Sequence, residues 1–362
     1  MAKNAKQNQM SMGKNHGIKI WDMGLLLLVA LMMFSCAGSG KKHRAAEQAE
    51  PADMYMGDMQ GSKCEVDGTK TSLAGQVIAL GDDKYQVNIL REFDARDAVI
   101  AVLNGTAVQG QIIVDGTGKI EYSDSIWRGT IRGDSIIGFF YGRKKGTFVM
   151  QKVERLSPTL GAKPPKKAIV LFDGSDLDQW QNAKGGGPAN WILLDNGAME
   201  VNVKKGSIVT KKKFNDFKLH LEFRTPFKPK ARGQSRGNSG VYMQERYEVQ
   251  VLDSYGLEGK DNECGGIYKV AEPLVNMCAP PLQWQTYDVL FHAPRFDKDG
   301  KKIKDAVLMV KQNGVVIHDN LEIPGPTGGA GGKNENQPDG ILLQDHNNPV
   351  QYRNIWILPL KE

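Results

Sequence analysis

Short apolar runs with a period of two, each ending at a glycine- or aspartate-containing turn, constrain the fold of this sequence most strongly. In residues 217–223 (FKLHLEF), aromatic and leucine side chains alternate with Lys218, His220 and Glu222. That period is typical of a β-strand with one face on a core and the other on solvent or a ligand. Asn313-Gly314 separates two later runs and is a strong β-hairpin signal. No long helical period interrupts the second half, so an all-β chain is predicted.

Composition divides the mature chain into two folded units and a connection. Residues 54–156 contain about eight closely spaced strand-like runs, which predict a small antiparallel barrel or sandwich with an accessory role. Residues 157–167 are rich in Pro, Gly and Lys and are interpreted as an interdomain linker. Residues 168–362 predict two stacked antiparallel sheets.

The N-terminus has the pattern of an export signal. Lysines precede an unbroken apolar stretch at residues 24–34. This stretch is shorter than the roughly 20 residues of a membrane-spanning helix, but it is typical of a signal-peptide core. Residues 1–35 are therefore predicted to be a lipoprotein signal peptide, with Cys36 as the lipidated N-terminus and 36–53 as a flexible tether. The expected location is the bacterial cell envelope, periplasmic or outer-membrane associated; a plain secretory leader is the alternative.

The net charge argues against a nucleic-acid partner. The formal net charge is +6, and residues 1–35 carry half of it. The remaining excess is too small and too dispersed to indicate a nucleic-acid partner.

Cys264 and Cys278 lie in one domain of an exported chain, where a disulfide and two buried thiols both remain open. No cysteine has a neighbour at the spacing of a zinc site.

Several separate motifs in residues 168–362 resemble one protein family, and they occur in the family's order. The segments are LFDGSDLDQW (171–180), GNSGVYMQERYEVQVLDS (237–254), CGGIY (264–268), WQTYDV (284–289), QNGVVIHDN (312–320) and GILLQDHNNPVQYRNIWI (340–357). They resemble the 3-keto-disaccharide hydrolase family, a former domain of unknown function. The resemblance implies a concanavalin A-like (lectin/glucanase) jelly-roll sandwich with its ligand site on the concave sheet. Residues 54–156 resemble an N-terminal β domain that some members carry.

The resemblance also implies an activity, the cleavage of glycosides whose C3 hydroxyl has been oxidised to a ketone. The ketone acidifies the C2 hydrogen, so that a base can remove it and an enediolate forms. The C1 substituent then leaves, and addition of water completes net hydrolysis. Such an enzyme needs a general base near C2, donors for the oxyanion at C3 and an acid for the leaving oxygen.

Two pairs of polar residues are the candidates for proton transfer and its support. In residues 247–251 (YEVQV), Glu248 and Gln250 share one strand face, because side chains alternate along a strand. A second carboxylate in place of Gln250 would suit a two-carboxylate retaining glycosidase, and its absence argues against that mechanism. A solvated strand face is the alternative. Gln344 and His346 share a face in the penultimate strand, and a histidine with the ordinary pKa of about 6.5 suits acid or base catalysis near neutrality.

Further side chains could contact a carbohydrate substrate. Arginine, asparagine and lysine can bind sugar hydroxyls or a C3 oxyanion, and aromatic rings can stack on a pyranose, although aromatic residues on strands more often belong to the core. The candidates are Arg236, Asn238, Tyr242, Tyr268, Lys269 and Trp284. Residues 325–334 superficially resemble a phosphate-binding loop but lack its first glycine and its Ser/Thr. They are interpreted as a loop at the rim of the site.

The leading hypothesis is therefore an envelope-anchored glycoside-cleaving enzyme with Glu248 and His346 as proton-transfer groups. A non-catalytic carbohydrate-binding module is the runner-up, because this sandwich also serves lectins. A third hypothesis is a structural lipoprotein that binds a partner protein. No cofactor is demanded by the sequence, and a divalent metal on the carboxylate and histidine is compatible with it.

Overall fold

The computed structural model describes residues 52–330 and 334–361. The predicted signal peptide (1–35), the lipidation site Cys36 and nearly all of the predicted tether lie outside the described residues. Strands predominate in the described part, where the one helical element is a single 3-10 turn, Gly233–Ser235. The all-β prediction is confirmed. Across these same residues, no helix has the length and apolarity needed to cross a bilayer.

The first unit is a closed antiparallel barrel in which each strand pairs with the next and the eighth pairs with the first. Its strands are β1 (Gly57–Glu65), β2 (Lys70–Gly81), β3 (Lys84–Leu90), β4 (Val99–Val108), β5 (Gln111–Ile120), β6 (Ser123–Arg132), β7 (Ser135–Gly142) and β8 (Gly146–Val153). Side chains alternate between the interior and the outside, as in β7, where Ile136 and Phe140 are buried and Ile137 and Phe139 are exposed. The interior is filled by side chains, among them Trp127 stacked on Phe140.

The second unit is a sandwich of two antiparallel sheets. The smaller sheet has the order β10 (Trp180–Asn182), β13 (Ile208–Thr210), β22 (Leu342–Leu343), β15 (Ser239–Met243) and β16 (Tyr247–Val251). The larger sheet has the order β11 (Ile192–Leu193), β12 (Met199–Glu200), β23 (Gln351–Pro359), β14 (Phe217–Arg224), β17 (Gln285–His292), β20 (Ala306–Gln312) and β21 (Val315–Ile323), with β9 (Ile169–Phe172) also paired to β23. A separate hairpin consists of β18 (Arg295–Phe296) and β19 (Lys302–Lys304).

The hydrophobic core lies between the two sheets and decides which residues face away from it. The ring of Tyr247 on the smaller sheet packs 5.5 Å from that of Phe291 on the larger one. Val249 and Val251 belong to the same buried cluster. Because alternate residues of β16 enter this core, Glu248 and Gln250 are held on the opposite face of the smaller sheet. The predicted concanavalin A-like sandwich is thereby confirmed.

The outer face of the larger sheet differs from the expectation. His220 and Glu222 were placed by their alternation on a face toward solvent or ligand, yet both are fully buried. The segment 157–162 covers them, because the Gly161 amide donates to Glu222 (2.6 Å) and the Thr159 hydroxyl donates to Asp288 (2.6 Å). That expectation is wrong, since a connecting segment occupies the face that the strand period leaves open.

The barrel docks on the sandwich through the loop that follows β16. Tyr255 of this loop is part of the barrel's buried cluster, and its hydroxyl donates to Asp58 in β1 (2.7 Å). The side-chain amide of Asn88 in β3 donates to the carbonyl of Gly256 (2.9 Å). A buried aromatic residue with a satisfied hydroxyl makes a specific contact, so the two units meet in a defined orientation.

Candidate active site

A cavity of about 310 Å³ opens on the face of the smaller sheet that points away from the core. Its floor comes from β15 and β16, and its walls come from the loops around residues 234, 268, 328 and 345. The lining residues are Gln234, Asn238, Tyr242, Glu248, Gln250, Tyr268, Lys269, Gly328, Gly329, Gln344 and His346. Eight of the ten residues that the sequence marks as candidates for catalysis or substrate binding are in this set.

Glu248 lies at the floor of the cavity and is 3% exposed. It is directly opposite Tyr242 in the β15–β16 pairing, next to the pair formed by Gly240 and Gln250. Gly240 leaves the room that the carboxylate occupies, because a Cβ at this position would lie 2.3 Å from Glu248 Oε1. This is a packing reason for the glycine in the segment 237–240.

The environment of Glu248 disfavours the ionised form of its carboxyl group. Burial raises the pKa of Glu248 to about 8, and a hydrogen bond with Tyr242 offsets only part of this effect. The Tyr242 hydroxyl also accepts a hydrogen bond from Gln344 Nε2 (2.9 Å). A carboxyl group whose pKa is close to ambient pH can act as a proton acceptor or a proton donor.

An amide network forms one wall of the cavity and leaves acceptor atoms without partners. Gln234 Oε1 accepts hydrogen bonds from Asn238 Nδ2 (2.8 Å) and Gln250 Nε2 (3.1 Å). With their nitrogens engaged, Asn238 Oδ1, Gln250 Oε1 and Gln344 Oε1 are buried without a hydrogen-bond partner in the described structure. Since buried polar atoms are nearly always paired, three such oxygens beside one cavity suit a ligand that brings hydrogen-bond donors, just as they suit ordered water.

The rim of the cavity is more exposed than its floor. His346 is exposed, and Lys269 is exposed with its ammonium 5.4 Å from the centre of the Tyr268 ring. The segment 325–330 is fixed to β16 by Thr327, whose hydroxyl donates to the Arg246 carbonyl (2.9 Å) and accepts from the Glu248 amide (3.0 Å). Gly328 and Gly329 of that segment therefore form part of the rim.

The penultimate strand is shorter than the sequence pattern suggests. Strand β22 ends at Leu343, so Gln344 and His346 reach the cavity from an irregular segment and not from a strand. The Asp345 carboxylate accepts a hydrogen bond from the Gly206 amide (3.0 Å), and the Asp345 amide donates one to the Ser207 hydroxyl (3.1 Å). The Gln344 amide still donates to the Gly240 carbonyl (3.0 Å), and from Asp345 onward these other bonds take the place of the predicted strand pairing.

Two predicted binding residues do not reach this cavity. Trp284 packs against the guanidinium groups of Arg224 and Arg353, which lie 5.0 and 4.1 Å from the centre of its ring. This contact is at the junction between the barrel and the sandwich. Arg236 is buried and forms an ion pair with Asp253 (2.6 Å). Both are strand-flanking residues whose partners are distant in sequence, so local motif reading could not place them.

Gln234 is the lining residue that the sequence reasoning missed. It lies in the single 3-10 turn, Gly233–Ser235, which has no periodic pattern. The only local signal is its position just before the glycine-containing segment 237–240.

The two cysteines of the sandwich lie outside the cavity. Cys264 and Cys278 are both buried free thiols, which is one of the two states left open by the sequence. Cys264 Sγ lies 3.3 Å from the Tyr287 hydroxyl. Among residues 52–330 and 334–361, no group of three or more His, Cys, Asp and Glu side chains is arranged to hold a metal ion.

Comparison with known proteins assigns the second unit to a family. The sequence profile of the 3-keto-alpha-glucoside-1,2-lyase-like domain matches residues 167–358, which is more than half of the 362 residues. The chain belongs to this family. The resemblance drawn from the motifs is thus confirmed, and the 3-keto-alpha-glucoside-1,2-lyase-like domain comprises the whole sandwich.

Two solved structures are similar to this domain. A candidate glycosyl hydrolase from Parabacteroides distasonis ATCC 8503, determined at 2.13 Å, is 42% identical with a TM-score of 0.50 and covers 54% of this chain and 85% of its own. A second candidate glycosyl hydrolase from the same strain, determined at 1.70 Å, is 20% identical with a TM-score of 0.40 and covers 54% of this chain and 94% of its own. No curated protein matches the chain.

Proposed function

We propose that the 3-keto-alpha-glucoside-1,2-lyase-like domain cleaves 3-keto-glycosides, including 3-keto-disaccharides, by elimination followed by hydration. The observation that carries this proposal is a single buried carboxyl group, Glu248, with a pKa of about 8 on the floor of an amide-lined cavity. Family membership and the similarity to a candidate glycosyl hydrolase support a glycoside as the substrate.

The number of carboxylates favours a substrate that carries its own activating ketone. An unoxidised glycoside usually requires two carboxyl groups about 5–10 Å apart, one as acid and the other as nucleophile or base. Among the described residues that line the cavity, Glu248 is the one carboxylate. A 3-keto-glycoside needs only one strong base at C2, because the ketone accepts the electron pair that the C–H bond releases.

The proposed reaction begins with proton transfer to Glu248. In its ionised form the carboxylate removes the C2 proton, and the electron pair moves onto the C3 oxygen to give an enediolate. A carboxylate with a raised pKa is a stronger base than an ordinary one, so burial favours this step. Tyr242 acts as a positioning residue, because its hydroxyl lies between Glu248 and Gln344.

The leaving group and the water are handled at the rim in this proposal. The C1–O bond breaks as the enediolate collapses, and His346 donates a proton to the departing oxygen. Water then adds, with its oxygen bonding to C1 and a proton returning to C2. Lys269 would supply the cation that stabilises the C3 oxyanion, since it is exposed at the same rim.

The three unpartnered amide oxygens support sugar binding in particular. Each hydroxyl of a pyranose is a hydrogen-bond donor, and Asn238, Gln250 and Gln344 offer acceptors without partners. A carbohydrate-binding module without turnover would use the same acceptors, and it is therefore the second candidate function.

The deciding experiment measures product formation from methyl 3-keto-glucoside and from unoxidised methyl glucoside. We expect cleavage of only the keto form, and Glu248→Gln should lower kcat by about 10²–10⁴-fold because general-base catalysis is lost. Glu322→Gln, an exposed glutamate on β21, is the matched control and should keep full activity. Cleavage of neither sugar, with glucoside binding detected by calorimetry, would leave a binding module.

We also propose that the chain is a lipoprotein of the bacterial cell envelope, anchored through Cys36. The support is the lysine-rich, apolar leader that precedes this cysteine. Cys36→Ser should move the protein from the membrane fraction to the soluble fraction; an unchanged distribution would contradict the anchor.

A further inference from the structure

A second cavity of about 260 Å³ lies at the junction of the barrel and the sandwich, next to the candidate active site. Gln234 lines both cavities. Its Nε2 donates to the carbonyl of Asn262 (2.8 Å), a residue of the second cavity, while its Oε1 accepts from Asn238 and Gln250 of the first. Gln234 therefore lies where the two cavities adjoin.

Both units of the protein build this second cavity. The barrel supplies Ile78 and Leu80 from β2 and Gln86 from β3. The sandwich supplies Leu257 and other residues of the loop after β16. Because Tyr255 fixes that loop to the barrel through its hydrogen bond to Asp58, the cavity has walls in defined positions.

Arg236 gives the second cavity an unused hydrogen-bond donor. Its side chain lines the cavity and is only 6% exposed. Nε donates to Asp253 Oδ2 (2.6 Å), and Nη2 is buried without a partner. A buried guanidinium N–H without an acceptor is unfavourable, so the site fits a ligand that presents an oxygen to it.

We infer that this second cavity is a subsite for the leaving group of the substrate, completed by the barrel. The inference rests on the proposed function, because it places the sugar in the first cavity and the group attached to C1 in the second. The glycosidic oxygen would pass Gln234, the residue that the two cavities share.

The chemistry of the walls defines the leaving group. Ile78, Leu80 and Leu257 offer an apolar surface, and Arg236 offers a donor at one side of it. A ring with an apolar face and an acceptor oxygen satisfies both, and two sources provide one: a substituted aryl aglycone and a second hexose. A methyl group is too small to reach either feature. The barrel thus becomes a specificity element of the enzyme.

The test compares three substrates that share one 3-keto-glucosyl group and differ in the leaving group: methyl, 4-carboxyphenyl and glucosyl. We expect the protein to prefer one or both of the larger groups over methyl in kcat/KM. Leu80→Trp, which fills the cavity from the barrel, should lower this preference ratio by about tenfold. Ile113→Trp adds the same side chain at an exposed position of β5 and should leave the ratio unchanged.

Arg236→Lys provides the second variant. It retains a cation beside Asp253 but removes the planar fork that carries Nη2. The ratio for the larger groups should again fall on the order of tenfold, the effect of one hydrogen bond to a charged group. Thermal unfolding of each variant distinguishes this effect from misfolding. A larger loss with the aryl substrate identifies an aryl aglycone, and a larger loss with the disaccharide identifies a hexose.

Each outcome decides one of the two proposals. Equal ratios in the wild type and Leu80→Trp would overturn the subsite and leave the proposed function standing. If the wild type cleaves none of the three, the proposed function fails, and calorimetry with 4-carboxyphenyl and methyl glucoside then decides the subsite. Tighter binding of the aryl glucoside that Leu80→Trp abolishes would sustain it; equal binding of both would reject it.

Discussion

Replacing Gly240 by alanine tests whether the position of the Glu248 carboxylate matters for turnover. The new Cβ would lie 2.3 Å from Glu248 Oε1 and 2.8 Å from Tyr242 Cε2. Gly240 is the second residue of β15 and has no positive φ, so alanine is compatible with the backbone there. The perturbation therefore acts on the two side chains beside the glycine.

The magnitude follows from the contact distances. An ordinary contact requires at least about 3.4 Å, so the carboxylate must retreat by about 1 Å. A displacement of that size at a reacting group can cost about 100-fold in rate. The extra methyl group in a filled space should also lower the free energy of unfolding by about 1–3 kcal/mol.

The assay is kcat/KM for methyl 3-keto-glucoside, measured well below the unfolding temperature. Gly187→Ala is the matched control, because a Cβ there meets nothing within 4 Å and the backbone φ is ordinary. The control should retain wild-type activity. If Gly240→Ala retained more than a third of the wild-type kcat/KM, Glu248 would not be the base in its observed position, and the proposed role would be refuted.

Three further predictions concern titration and docking. If Glu248 acts as the base, the acid limb of the kcat/KM profile should rise with pH toward the Glu248 pKa of about 8, since ionisation is required; a profile without such a rising limb would contradict the base role. Burial opposes protonation of His220, but hydrogen bonds to Asp288 and Glu222 outweigh it and raise its pKa. The stabilising effect of His220 is therefore present below about pH 6.5 and lost as the pH rises through the raised pKa, so the Tm advantage over His220→Gln should shrink from about pH 6 to pH 9. Tyr255→Phe should lower the free energy of unfolding in urea by about 1–3 kcal/mol, because buried Asp58 loses a donor; an unchanged value would show that the docking contact is not stabilising.

Strand period predicted the floor of the site because it depends on neighbouring residues alone. Because Tyr247, Val249 and Val251 belong to the core, Glu248 and Gln250 must lie on the opposite face of the sheet. The strand period could not predict the raised pKa of Glu248. Its raised pKa comes from burial by other parts of the chain. The hydrogen bond with Tyr242, which partly lowers this pKa, likewise comes from a neighbouring strand.

The same dependence explains the predictions that differ from the structure. His220 has the alternation of an exposed strand residue, but a segment some sixty residues earlier covers it. Arg236 looks like a sugar-binding residue within its motif, yet its ion pair with Asp253 determines where its guanidinium lies. In each case the local pattern gives the face and a distant segment decides what that face contacts.

The position of Arg236 indicates what the barrel adds to the sandwich. A sandwich alone could hold the sugar, because Glu248 and the three amide oxygens all belong to it. Without the barrel, however, Ile78 and Leu80 would be missing and Arg236 would line an open groove. An arginine in water is well solvated and discriminates weakly, whereas a buried unpartnered N–H rejects a leaving group that lacks an acceptor. In the proposed enzyme the barrel would therefore contribute selectivity by excluding water from one side of the site, while the proposed proton transfer takes place in the sandwich.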